Sequence, residues 1–231
     1  MAKKINRKID LSKKVIVRDN PLSPISEQYR GIRTNIEFAN IDRDLKVIVC
    51  SSPSPGEGKS TTIANLAVAF AGQEKNVLLI DADLRRPTLQ LKFTGNPYKG
   101  LTNILVEKLK IEDVARQTEV DNLWLINAGT IPPNPAELLG SNAMKDFLEN
   151  AKTKFDIILI DTPPILAVTD ARILAKHADG FILVVRSGHT KKHELALAKE
   201  QLDQAQINII GTILHGVAQE DTPVYYYGRG S

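Results

Sequence analysis

The sequence predicts a single doubly wound α/β domain built on a mainly parallel sheet. Short β-branched runs alternate along the chain with stretches of helical period, the pattern of α/β architecture. Several of these runs lack polar alternation, as parallel strands covered on both faces do. A glycine-rich loop after one such run opens directly into a helical stretch. Strand–crossover–strand units of this kind wind right-handed.

An N-terminal helix precedes the first strand. Ser23 is placed to cap it and Pro24 suits its first position. Ile25, Tyr29, Ile32 and Ile36 recur at four, three and four residues, which gives one apolar face. Glu27, Arg30 and Arg33 form a second stripe on the same helix. That stripe reads either as a helical surface pair or as a subunit contact made by mixed charges. Strands are expected over 46–50, 76–81, 123–127, 156–161, 180–185 and 208–214. Helices are expected over 60–71, 101–107, 141–152, 169–177 and 190–205. Residues 129–135 hold three prolines and form a connector.

Composition narrows the class. The 231 residues would fit one large or two small domains at roughly 150 per domain. With no repeat and no long linker, one domain is the economical reading. Hydrophobic residues at 42% and charged residues at 25% exclude wholesale disorder, collagen and coiled-coil rods. The single cysteine, Cys50, excludes a disulfide framework and a cysteine-rich zinc site. No apolar run approaches the roughly 18 residues of a membrane span, and the basic N-terminus lacks the apolar segment of a secretory signal. Residues 1–18 carry Lys3, Lys4, Arg7, Lys8, Lys13, Lys14 and Arg18 against Asp10, a local +6 within a total of +3. A basic arm is therefore expected over 1–20. It is either a solvated tail or a segment attracted to anionic lipid or an acidic partner. The rest of the chain is slightly acidic and has no aromatic-studded basic surface, so nucleic acid is not an expected partner.

The strongest local signal is Pro55-Gly56-Glu57-Gly58-Lys59-Ser60-Thr61. A phosphate-binding loop needs glycines that let backbone N–H groups turn inward, and a helix N-terminus that favours anions. It needs Lys59 to reach the outer phosphates and Ser60 to hold magnesium. The first glycine of the full motif is replaced by Pro53. Two apolar strands then end in carboxylate, at Asp81-Ala82-Asp83 and at Asp161-Thr162-Pro163-Pro164. In an open parallel sheet the C-terminal strand ends meet at the ligand crevice. Asp81, Asp83 and Asp161 are thus expected near Lys59 and Ser60, as a site for Mg2+ and a nucleoside triphosphate in a P-loop NTPase fold. Arg85 and Arg86, which follow, either contact an anion or face solvent.

Together these residues resemble the bacterial tyrosine kinases of capsule and exopolysaccharide operons. The resemblance spans nearly the whole chain. It includes the Glu27-x-x-Arg30-x-x-Arg33 helix, the Pro55–Ser60 loop, and the segment Asp81-Ala82-Asp83-Leu84-Arg85-Arg86-Pro87. It also includes Pro132-Pro133-Asn134-Pro135-Ala136-Glu137-Leu138-Leu139, Asp161-Thr162-Pro163-Pro164 and the cluster Tyr225, Tyr226 and Tyr227. The resemblance implies a kinase domain over 21–216 and a flexible tyrosine-containing tail over 217–231. It implies ATP-dependent autophosphorylation of that tail within a homo-oligomeric ring, typically an octamer, whose subunits meet through Glu27, Arg30 and Arg33. It further implies the cytoplasmic segment of a membrane protein as activator, substrate tyrosines on enzymes of polysaccharide synthesis, and a cognate phosphatase. The protein would be cytoplasmic and recruited to the inner face of the membrane. His215 departs from the pattern, standing where the family carries Asn near the base pocket.

Two other readings accompany this one. A MinD/ParA-type ATPase switch would carry a lysine where this sequence has Ser54. A non-catalytic regulatory module would bind ATP and assemble with its partner without transferring phosphate. For the kinase, Lys59 and the amides of the Pro55–Thr61 loop after its proline would hold phosphates, while Ser60, Asp83 and Asp161 hold Mg2+. Asp81 would accept the phenol proton, and Asp81, Asp83 and Lys59 form the catalytic group. Cys50 reads as a small buried hydrophobe and Trp124 as packing. His189 and His193, at i and i+4 without an acidic or thiol partner, read as a solvated face.

Overall fold

The computed structural model describes residues 14–39, 45–93 and 98–217. Tyr225, Tyr226 and Tyr227 and the basic residues up to Lys13 lie outside the described residues. Seven strands are present among the described residues: β1 (Val47–Ser51), β2 (Val77–Asp81), β3 (Arg116–Gln117), β4 (Leu123–Ile126), β5 (Ile157–Asp161), β6 (Gly180–Arg186) and β7 (Ile209–His215). They form one sheet in the order β3-β4-β2-β5-β1-β6-β7. All neighbouring pairs are parallel except β3 with β4. The six expected strands are present with ends shifted by a residue or two. The two-residue β3 carries no periodicity for a sequence to show.

The helices are α1 (Ile16–Asp19), α2 (Pro24–Ala39), α3 (Lys59–Ala71), α4 (Leu101–Glu107), α5 (Ile111–Val114), α6 (Pro135–Leu139), α7 (Asn142–Lys152), α8 (Asp170–Ala175) and α9 (Lys192–Gln204). They cover both faces, so the central strands are apolar throughout. Along β1, Val47 and Val49 face one core while Ile48 and Cys50 face the other. In β2, Leu78 and Ile80 face the first core and Val77 and Leu79 the second. This period of two lets each strand bury both faces. Helices α4 to α9 pack on the first face and α1 to α3 on the second. The edge strand β7 is only half buried.

Local chemistry explains the helix starts. The Ser23 hydroxyl accepts from the Ser26 N–H at 3.1 Å and caps α2. Ser141 accepts from Met144 N–H at 3.3 Å and caps α7. On α2, Tyr29 is buried and Ile32 and Ile36 pack against the second core, but Ile25 is exposed. Ile25 lies in the first turn, outside the packed stretch of the helix.

The basic arm expected over 1–20 already meets the domain at its C-terminal end. Val15 and Val17 are buried against α3, and Val17 N–H donates to Asn65 Oδ1 at 3.0 Å. Their apolar character, between Lys14 and Arg18, explains why this stretch folds onto the sheet. Cys50 is fully buried, and burial pushes its thiol well above the ordinary range. It fills space rather than reacting.

Candidate active site

The loop between β1 and α3 carries the site. Gly56 and Gly58 adopt φ of +80° and +94°, the left-handed region that glycine enters without a Cβ penalty. Gly58 has a second constraint: a Cβ there would sit 2.4 Å from the His215 ring. The helix N-terminus of α3 follows at once, so loop amides and helix dipole point into one cavity of about 800 Å³. Pro55, Gly58, Lys59, Ser60, Thr61 and Asp83 line it.

Glu57 stands apart within this loop. Its side chain is fully buried and turned toward the β6–α9 turn. Its Oε1 accepts from the Thr190 hydroxyl at 2.6 Å and its Oε2 from the Ser54 N–H at 3.0 Å. Arg186 Nη1 donates to Gly56 O at 2.9 Å from the same side. The Glu57 side chain thus braces the loop, and only its backbone lies with the expected phosphate-binding residues.

The carboxylates gather on the other side. Lys59 Nζ lies 3.3 Å from Asp83 Oδ2, 3.6 Å from Asp161 Oδ1 and 3.2 Å from Ser60 Oγ. Burial opposes the Lys59 charge, and Asp161 and Asp83 more than offset it, so its pKa lies above the ordinary value. Burial raises the Asp161 pKa although Lys59 opposes it. Asp81, fully buried, faces the backbone of the following loop. Its Oδ1 accepts from Asp83 N–H at 3.2 Å, and its Oδ2 from Thr88 and Leu89 N–H at 3.0 and 2.9 Å. Burial and then the charge of Asp161 push Asp81 up to about 8.

Arg85 lies partly exposed at the cavity, with its guanidinium engaged by a carboxylate of the protein itself. It makes a bidentate pair with Asp170, 2.9 Å from Nε to Oδ2 and 3.2 Å from Nη2 to Oδ1. The pair ties the loop after β2 to the start of α8. Asp170 is fully buried, so Arg85→Met is expected to lower unfolding stability by about 2 kcal/mol, the cost of a stranded buried acceptor. Chemical denaturation measures this; an unchanged midpoint would show the pair to be energetically silent.

The stripe on α2 divides. Glu27 and Arg30 pair with each other, and Arg30 also donates to Pro21 O at 2.8 Å. Arg33 instead donates to Ala69 O on α3 at 3.0 Å. His189 and His193 are exposed, and Trp124 packs at the edge of the first core.

Comparison with known proteins follows the same lines. Across 229 residues the chain is 48% identical to tyrosine-protein kinase YwqD of Bacillus subtilis (strain 168), covering 99% of this chain and 97% of that one. The chain belongs to the bacterial tyrosine-protein kinases. The solved kinase domain of the Escherichia coli tyrosine kinase ETK superposes with a TM-score of 0.86 at 34% identity, covering 94% of this chain and 85% of that one. Residues 45–209 match the AAA domain family. The MinD septum-site protein of Pyrococcus horikoshii, solved with Mg-ADP, is more distant: TM-score 0.61 and 26% identity, over 77% of this chain and 74% of that one. The lysine expected of a MinD-type switch is absent here. Ser54 at that place donates through Oγ to Glu194 at 3.2 Å.

This tyrosine kinase uses ATP and Mg2+, and its residues fit the metal. Both Asp161 side-chain oxygens are buried and lack a hydrogen-bond donor, with Lys59 beside them only as an ion pair. Hard oxygen donors of this kind suit Mg2+, which keeps waters and takes substrate phosphates. Among the described residues no three His, Cys, Asp or Glu side chains could hold a metal by themselves. Ser60, Asp83 and Asp161 are the oxygen-bearing side chains gathered around Lys59. Sequence reasoning missed Lys92 and Thr190. Lys92 is a buried cation lining the cavity, and Thr190 is the partner that turns Glu57 away.

Proposed function

We propose that this tyrosine kinase transfers the γ-phosphoryl group of ATP to its own tail tyrosines, Tyr225, Tyr226 and Tyr227, within a ring of identical subunits. The phosphorus–oxygen bond to ADP breaks, a bond to the phenol oxygen forms, and the phenol proton passes to Asp81. The observation that carries this reading is the placement of Lys59 against Asp83, Asp161 and Ser60 at the nucleotide cavity, with Asp161 buried behind it. Phosphoryl transfer needs mostly positioning and charge stabilisation, and this cluster supplies both. Bound Mg2+ would neutralise charge developing on the phosphates. Lys59 would hold the outer phosphates, and the amides of Gly56–Thr61 the inner ones.

The proposal includes assembly through α2. Ile25 and Phe38 on α2 and Leu22 just before it are large and exposed. An activator's cytoplasmic segment at the inner membrane face, substrates in capsular or exopolysaccharide synthesis and a cognate phosphatase belong to the same reading. Among the described residues no helix is long and apolar enough to cross a membrane. The match covers 29% of the full tyrosine-protein kinase etk of Escherichia coli (strain K12), so that relative joins other segments to the matched region in one chain.

Tyr225 lies eleven positions beyond Leu214, a reach of at most roughly 35–40 Å, and that length alone does not decide between the chain's own site and a neighbour's. Mixing a Lys59→Met chain with one whose three tail tyrosines are Phe distinguishes them. With Mg-ATP and the activator segment, mass spectrometry is expected to find tail phosphate on the Lys59→Met chain. A tail without phosphate in that mixture would exclude transfer between subunits. Its absence from the unmodified protein would exclude autophosphorylation.

A further inference from the structure

The first turn of α3 presents two consecutive hydroxyls, and each meets an ammonium group. Lys59 Nζ lies 3.2 Å from Ser60 Oγ, and Lys92 Nζ lies 3.1 Å from Thr61 Oγ1. The first pair faces the aspartates. The second arises from a different part of the chain, just past a single 3-10 turn over Leu89–Leu91. Lys92 is 6% exposed, yet it lines the nucleotide cavity.

The Lys92 backbone is held on both sides. Its N–H donates to Leu89 O at 2.9 Å, and the Leu89 N–H in turn donates to Asp81. Its carbonyl accepts from Arg18 Nη1 at 2.8 Å, and the Arg18 guanidinium lies 5.7 Å over the Phe93 ring. A lysine side chain loses much rotamer freedom when its stem is buried. Here a strap from α1 and a loop anchored on Asp81 fix where it starts.

We propose that Lys92 binds the nucleoside-proximal phosphates of ATP and ADP, as a second cationic clamp across the loop from Lys59. In a phosphate-binding loop the loop lysine serves the outer phosphates and the amides serve the inner ones. Ser60 and Lys59 sit with Asp83 and Asp161 on the outer-phosphate side. Thr61 lies one residue further into α3, and Lys92 sits on it. Lys92 also shares an end of the cavity with His215: burial, then Arg186, then Lys92 push that imidazole below its ordinary pKa. Lys92 thus stands between the loop and the proposed base pocket.

The test uses the full-length protein with Mg-ATP, Mg-ADP and two variants. Lys92→Met keeps the aliphatic stem and removes the charge. Calorimetry is expected to show about tenfold weaker binding of ATP and of ADP alike, with KM for ATP raised and kcat within about twofold. Lys92→Arg is expected to bind both within about threefold of the unmodified protein. Unchanged affinities for Lys92→Met, a loss confined to ATP, or a fall in kcat without a rise in KM would each overturn the proposal. The unmodified protein gives an independent readout free of folding effects. Acetylation of Lys92 by an amine-reactive ester, followed by mass spectrometry, is expected to slow at least fivefold when ADP is bound; equal rates with and without ADP would overturn it.

Discussion

Asp81→Asn is expected to slow tyrosine phosphorylation at least 100-fold while leaving Mg-ATP affinity within about threefold. A positioned proton acceptor contributes on the order of 10² to 10⁴, and Asp81 is proposed for that role. At ordinary values the phenol, near 10, would lose its proton to a carboxylate near 4 at a cost of about 8 kcal/mol. The buried setting changes this arithmetic. With Asp81 pushed up to about 8, the gap is about two units, or roughly 3 kcal/mol. Geometry leaves one acceptor position open: Oδ2 takes two backbone donors and Oδ1 one, while a carboxylate offers about four lone-pair sites. The sign of the pH dependence follows. Only the carboxylate form accepts a proton, so the rate should rise with pH toward about 8. Mg2+, if held by Asp83 and Asp161, would pull that limb lower in the loaded enzyme. In Asp81→Asn the limb should vanish. Single-turnover phosphorylation across pH 5.5 to 9 tests this, and a variant that keeps both rate and limb would remove Asp81 from the chemistry.

Most of the sheet was legible because its strands are buried on both faces and end in turn residues. Val77 to Ile80 and Ile157 to Ile160 leave no other reading once a carboxylate closes each run. The loop was legible because glycine, lysine and serine must stand at fixed offsets for phosphate to be held. What stayed hidden depends on contacts between segments far apart in sequence. Glu57 looks like a member of the phosphate cradle until Thr190, 133 residues away, takes its carboxylate. Arg85 offered two readings until Asp170 met it across 85 residues. Lys92 lies in a stretch without period or motif, and its position depends on Arg18 and Asp81 together. The α2 stripe was visible as a stripe, but helical spacing alone does not reveal that Arg33 turns inward to Ala69 while Glu27 and Arg30 stay accessible.

Lys59→Met is expected to abolish phosphoryl transfer, by 10³-fold or more, and to change the stability of the nucleotide-free protein in a way that depends on pH. The activity loss follows from removing the ammonium that lies against Ser60, Asp83 and Asp161. The stability effect follows from the carboxylates left behind. In the folded protein Asp81 and Asp161 already titrate above their ordinary values. Between the unfolded value near 4 and the folded value near 8, the folded state therefore binds the extra proton of Asp81. Over that window stability falls as pH rises, by up to about 1.4 kcal/mol per unit for one such group. Without the Lys59 charge the carboxylates repel more strongly and hold protons to higher pH, so the fall continues to higher pH. Stranding a buried charge costs about 3 kcal/mol near neutrality, and much less near pH 4, where Asp81 and Asp161 hold their protons. Mg2+ should offset this loss. A cation that fills the place of the ammonium binds only the folded state, and mass action then raises the melting temperature. Thermal melts at pH 5 and 8, with and without Mg2+, are expected to show the Lys59→Met deficit chiefly at pH 8 and the larger magnesium gain in the variant. A deficit equal at both pH values, with no extra gain from Mg2+, would mean that Lys59 is not the charge that holds these aspartates together.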